Sequence, residues 1–150
     1  MKTKQVLSVE QMKHLQELGL DTSDGSMCWR YALSYKNAKW ELEIYEDVIN
    51  QKRDSAFWEI ISTYTLQDIL DKLPTLIIIS SDFYKICIEP SCGYWDIYYY
   101  KSDATELISK KSENIIDAAY DMLCWCIENR YIKTNQYESK NKSNRNDCRG

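Results

Sequence analysis

The sequence has little of what usually announces chemistry. It holds a single histidine, His14, so no histidine cluster exists to bind a metal, and a nucleophile has almost no local base to pair with. Its four glycines, Gly19, Gly25, Gly93 and Gly150, never cluster, which excludes G-x-G-x-x-G and Walker-type phosphate loops. With only two prolines as well, loops should be few and short. The longest aliphatic run, Leu76 to Ile79, is far below the roughly 20 apolar residues that cross a bilayer. The basic start Met1-Lys2-Thr3-Lys4-Gln5 leads into a polar, amphipathic stretch without the apolar core of a secretory signal. A cytoplasmic protein without a membrane partner is expected.

The six cysteines, Cys28, Cys87, Cys92, Cys124, Cys126 and Cys148, are even in number, yet nothing points to an oxidising compartment. No C-x-x-C is present. Cys124 and Cys126 are two apart on a predicted helix, which turns their side chains about 200° from each other, too far to share a metal. Reduced, mostly buried thiols are expected, with Cys148 exposed, and neither metal nor cofactor is predicted.

What the sequence does have is aromatic surface: 12 Tyr, 5 Trp and 2 Phe. With 44% hydrophobic and 28% charged residues, 150 residues suit one domain able to bury a core without staples. Charge is unevenly spread. Residues 133–150 hold five basic and two acidic side chains, so the net −4 of the chain divides into a +3 tail and a −7 body. An acidic body repels phosphate backbones, which makes nucleic acid an unfavoured partner.

Along the chain, Ser8 and Gln11 form a capping box before Val9, Met12, Leu15 and Leu18, and Gly19 stands where a left-handed cap ends a helix. Residues 27–35 and 39–44 alternate with period two around a short polar link, the pattern of a hairpin. Trp29, Tyr31, Trp40 and Leu42 should share one side, with Arg30 near Glu41 or Glu43 on the other. Residues 47–55 read as a loop and 57–64 as a short strand. Thr65 and Asp68 open a second helix that Pro74 ends. Four strands then follow: 76–79, 83–89, 94–100 and 105–110, the first two joined by Ser80-Ser81-Asp82 and the next two by Pro90-Ser91-Cys92-Gly93. A long apolar helix, capped by Asn114 with Asp117 in its first turn, closes the fold. The expectation is an α+β domain over residues 1–132, a single antiparallel sheet with about three helices mainly on one face, and a disordered basic tail at 133–150.

Few residues of the sequence suggest chemistry. His14 belongs on the polar side of the first helix, and a Cys–His pair with Cys87 or Cys92 has no local support. Asp96, Glu89 and Glu106 are the carboxylates nearest to an acid–base set, but at strand positions such residues are ordinarily solvated. The tyrosine-rich strand 94–100 is the distinctive feature. Tyr98 and Tyr100, with Tyr94 and Tyr84, form a candidate aromatic binding face for a protein or for stacked bases. The plainer reading is that strands favour aromatics, which pair across the sheet.

The segments Tyr64-Thr-Leu-Gln-Asp-Ile-Leu-Asp-Lys-Leu-Pro74 and Asn114-Ile-Ile-Asp-Ala-Ala-Tyr-Asp-Met-Leu-Cys-Trp-Cys-Ile-Glu-Asn-Arg-Tyr-Ile132 resemble a family of small proteins from Bacteroides-type gut bacteria, their phages and mobile elements. The resemblance spans roughly residues 5 to 133. It implies a shared fold and brings no activity, since both segments are capped helices whose matching letters are core positions. The leading expectation is a non-enzymatic protein-binding or accessory factor. The alternatives are a small single-stranded nucleic-acid-binding module and an enzyme with a site around Cys87, Cys92 or Asp96.

Overall fold

The computed structural model describes residues 4–33, 35–50 and 57–134. Within them the order is α1 (Val9–Glu17), β1 (Met27–Ala32), β2 (Glu41–Ile44), α2 (Tyr45–Asn50), β3 (Trp58–Thr63), α3 (Leu66–Lys72), β4 (Leu76–Ile79), β5 (Asp82–Ser91), β6 (Tyr94–Tyr100), β7 (Glu106–Ser112) and α4 (Ile115–Glu128). The protein is α+β, but the expected single sheet is two antiparallel sheets, β2-β1-β3 and β4-β5-β6-β7. The described residues also form four helices rather than three. The division has a local cause. α3 and Pro74 separate β3 from β4, and the two-residue turn at Ser80-Ser81 then folds β4 straight back onto β5, so β4 pairs there. The extra helix, α2, lies in the stretch read as a loop. It is only six residues long with Val48 alone buried, so its own periodicity carries no signal, and packing against β1 and β2 supports it. Most of the expected tail, residues 135–150, lies outside the described residues.

Both capping boxes form. Ser8 Oγ accepts from the Gln11 amide at 3.2 Å and the Gln11 side chain accepts from the Ser8 amide at 3.0 Å. Thr65 and Asp68 do the same for α3, and Gly19 adopts φ +93° after α1. Asn114 is different: it precedes α4 without a side-chain cap bond, while Asp117 accepts from Lys4 Nζ at 2.6 Å and Gln11 Nε2 at 3.0 Å. The first turn of α4 is thereby tied to α1 and the segment before it.

The core lies between α4 and the inner face of the four-stranded sheet. Ile116, Ala118, Ala119, Met122, Leu123, Cys126 and Ile127 of α4 cover Ile77, Ile97 and Tyr99, with α1 and α3 filling the sides. Burial pushes the Cys124 and Cys126 thiols up to about 11, so they remain protonated at neutral pH. In the smaller sheet Trp29 stands opposite Leu42 and the Tyr31 ring lies 5.3 Å from that of Trp40, as the alternation implied. On the other side Arg30 donates to Glu41 at 2.5 Å and forms an ion pair with Glu43 at 2.8 Å, with its guanidinium over Trp58.

The loop after α1 is anchored by a polar network. Tyr64 OH donates to Asp24 Oδ1 at 2.8 Å, Lys72 pairs with Asp24, and Ser26 donates from Oγ to Asp68 at 2.5 Å and from its amide at 3.2 Å. Burial alone would raise the Asp68 carboxyl, but the bonds from Ser26 and Thr65 together outweigh it and hold it below the ordinary value. A depressed folded pKa gives stability that is present above the unfolded value and is lost as pH falls through the folded one. Urea unfolding of Asp68→Asn at pH 7 and in the acid range is therefore expected to show a deficit at pH 7 that shrinks in acid. A deficit that is constant with pH would refute this role.

Candidate binding face of the four-stranded sheet

Side chains alternate along β6, so the burial of Ile97 and Tyr99 beneath α4 sends Asp96, Tyr98 and Tyr100 to the opposite side. The register then assigns that side on every strand. Cys87 and Ser109 flank Tyr98, Glu89 and Lys111 flank Asp96, and Lys85 flanks Tyr100. On β4, Leu76 stands against Lys85 and Ile78 against Phe83. Among the described residues no helix packs on this face. Tyr94 is 49% exposed, Phe83 55% and Ile78 59%.

Tyr98 and Tyr100 stack obliquely, with ring centroids 5.5 Å apart. Tyr98 OH donates to Glu89 Oε1 at 3.1 Å. The Cys87 thiol beside it, then partial desolvation and Glu89, push its phenol above the usual tyrosine value, so it stays a neutral hydroxyl. A hollow of about 470 Å³ opens beside Tyr100, lined also by Phe83, Lys85 and Lys101 among others. Tyr84 does not join them. It stands opposite buried Ile77, on the side of Ile86 and Ile88, and packs against the core. The candidate face therefore keeps Tyr94, Tyr98 and Tyr100 and loses Tyr84. The alternation of β5 already put Tyr84 with Ile86 and Ile88, and that pattern outweighs its aromatic character.

Sequence reading missed Leu76, Ile78 and Phe83. A continuous aliphatic run reads as a strand buried on both faces. Here β4 is an edge strand with only Ile77 fully inside, and the tight turn at Ser80-Ser81 brings Phe83 across from Ile78.

The candidates for catalysis are dispersed. His14 contacts the Tyr120 ring of α4 at 6.4 Å, on the helical side of the sheet, whereas Cys87 faces the other side. Cys92 is exposed in the β5–β6 turn at φ +47°. Asp96 is only 8% exposed, accepts from Ser109 Oγ at 2.5 Å and has Lys111 at 3.9 Å, so its oxygens already have partners. Glu89 stands next to it on β5, but Glu106 pairs with Tyr100, four residues along β6 and so about 13 Å away. Among the described residues no three His, Cys, Asp or Glu side chains converge as metal ligands would.

No family model, no curated protein and no solved structure matches the chain. Among the described residues no helix is long and apolar enough to cross a membrane.

Proposed function

We propose that this chain is a non-catalytic binding protein that docks a protein partner on the helix-free face of its four-stranded sheet. The observation that carries the reading is the row of exposed Tyr94 with half-buried Tyr98 and Tyr100, continued by exposed Phe83, on a sheet backed by α4. Aromatics of this kind supply large contact area with few rotatable bonds, which is why they dominate binding energy in protein interfaces. The dispersal of Cys87, His14 and the carboxylates favours binding over catalysis. The −7 charge of residues 1–132 favours a protein over a phosphate backbone. The resemblance to small phage and mobile-element proteins is compatible with an accessory role of this kind.

Affinity capture from a lysate of the source organism, quantified against Tyr98→Ala and Phe83→Ala variants of unchanged circular dichroism, tests the proposal. A small set of proteins should bind the wild type about 30-fold better than the variants, the effect of losing one central aromatic anchor. Identical capture by all three chains would overturn it. Salt-dependent retention of single-stranded RNA or DNA, lost in the same variants, would transfer the face to nucleic acid.

A further inference from the structure

We propose that two copies of this chain pair edge to edge through β4, antiparallel and two-fold symmetric about Ile77. The inference goes beyond the docking face, because it uses the strand edge and not the tyrosines.

The Ile86 amide donates to Thr75 O at 3.4 Å, so Thr75, Ile77 and Ile79 direct their main-chain groups toward β5. Leu76 and Ile78 therefore direct theirs outward, and β4 ends the strand order with no strand on that side among the described residues. An antiparallel partner centred on Ile77 sets Leu76 against the partner subunit's Ile78, and Ile78 against the partner subunit's Leu76. Both are pairs whose amides and carbonyls already face the gap, so four hydrogen bonds form without moving the backbone.

The side chains agree with that register. It keeps outward-facing side chains together, bringing Leu76, 37% exposed, and Ile78, 59% exposed, beside their counterparts, with Phe83 of each copy adjacent. A shift of one residue would instead oppose core-facing and solvent-facing positions.

Charge singles out this edge. Of the four strands that end the two sheets, β2 carries Glu41 and Glu43, β3 carries Glu59, and β7 carries Glu106, Lys110 and Lys111 with a register irregularity against β6. β4 alone, Leu76-Ile77-Ile78-Ile79, has no charge, proline or bulge. Charges and irregularities are what keep sheet edges apart, so β4 is the edge left open to pair, and an equally uncharged copy of itself fits it.

Sedimentation velocity on the full 150-residue chain under reducing conditions, over a concentration series from micromolar upward, tests this. The wild type should approach twice its 17.8 kDa mass as concentration rises. Ile78→Lys, which puts a charge at an exposed position, and Ile78→Pro, which removes an outward amide, should both halve that mass while retaining the wild-type circular dichroism spectrum. Tyr98→Ala should leave the dimer intact. A wild type that stays at monomer mass to its solubility limit overturns the proposal, and so does an Ile78→Lys variant that keeps the dimer. Loss of the dimer in Tyr98→Ala would also overturn it, by moving self-association to the face. A monomeric wild type leaves the docking-face reading standing, because that reading is tested by capture of a different protein.

Discussion

Replacing Tyr99 with alanine is expected to cost about 3–5 kcal/mol of folding stability. The ring is fully buried at the centre of the sheet's inner face, under α4 and beside Cys126. Its removal leaves a cavity that neither a paired central strand nor α4 can collapse to fill. The side chain also has a polar duty, since its hydroxyl donates to Pro74 O at 2.6 Å. That carbonyl stands where α3 has ended and β4 begins, so the bond joins the sheet to the α3–β4 junction. Tyr99→Phe keeps the ring and leaves the carbonyl without its donor, a loss of about 1–3 kcal/mol. Urea unfolding followed by tryptophan fluorescence separates the two contributions. Equal losses for alanine and phenylalanine would mean that the hydroxyl, not ring burial, dominates. Because a domain of this size has roughly 5–15 kcal/mol in total, the alanine variant should be partly unfolded at moderate temperature.

Gly25→Ala should cost about 1–3 kcal/mol, a large effect for one methyl group. A Cβ at Gly25 would lie 2.6 Å from Thr63 O and 3.1 Å from Thr63 C and N, contacts with backbone that no rotamer change relieves. Neither side yields easily. Thr63 is paired with Met27 in the sheet and donates from Oγ1 to Leu7 O at 2.8 Å. The loop is fixed on either side of Gly25 by Asp24 to Tyr64 and by Ser26 to Asp68. Gly93→Ala is the control. Nothing lies within 4 Å of its added carbon, so only the φ of +86° penalises it, by about 1 kcal/mol. Thermal melts in which Gly93→Ala proved the more destabilising would show that the loop, and not the contact with β3, sets the cost at Gly25.

The legible part of the fold was the part whose causes are local. The capping boxes at Ser8 and Thr65, the left-handed Gly19 and the stop at Pro74 each depend on a few neighbouring residues and formed as read, whereas the turns expected at Ser80-Ser81-Asp82 and Pro90-Ser91-Cys92-Gly93 tighten to Ser80-Ser81 and Cys92-Gly93, with Asp82, Pro90 and Ser91 taken into β5. Hairpin alternation put Arg30 on the side of Glu41 and Glu43, and the strand register of the folded hairpin brought it to both. α2 was not legible, since a six-residue helix is too short to show a periodicity of its own and depends on packing. Neither was the missing side-chain cap at Asn114, nor the tie to Asp117 from Lys4, more than a hundred residues distant in sequence.

The candidate face divides the same way. Period-two alternation by itself determined that Tyr94, Tyr98 and Tyr100 share one side of their strand, because successive side chains in any strand must point to opposite faces. Which side is covered depends on where α4 lands, and the order of strands depends on which hairpins dock. Those are choices among long-range contacts that local pattern does not encode. Tertiary structure alone therefore split the sheet in two, decided that the side shared by Tyr84, Ile86 and Ile88 is the covered one, and left Leu76 and Ile78 on an open edge rather than within the core.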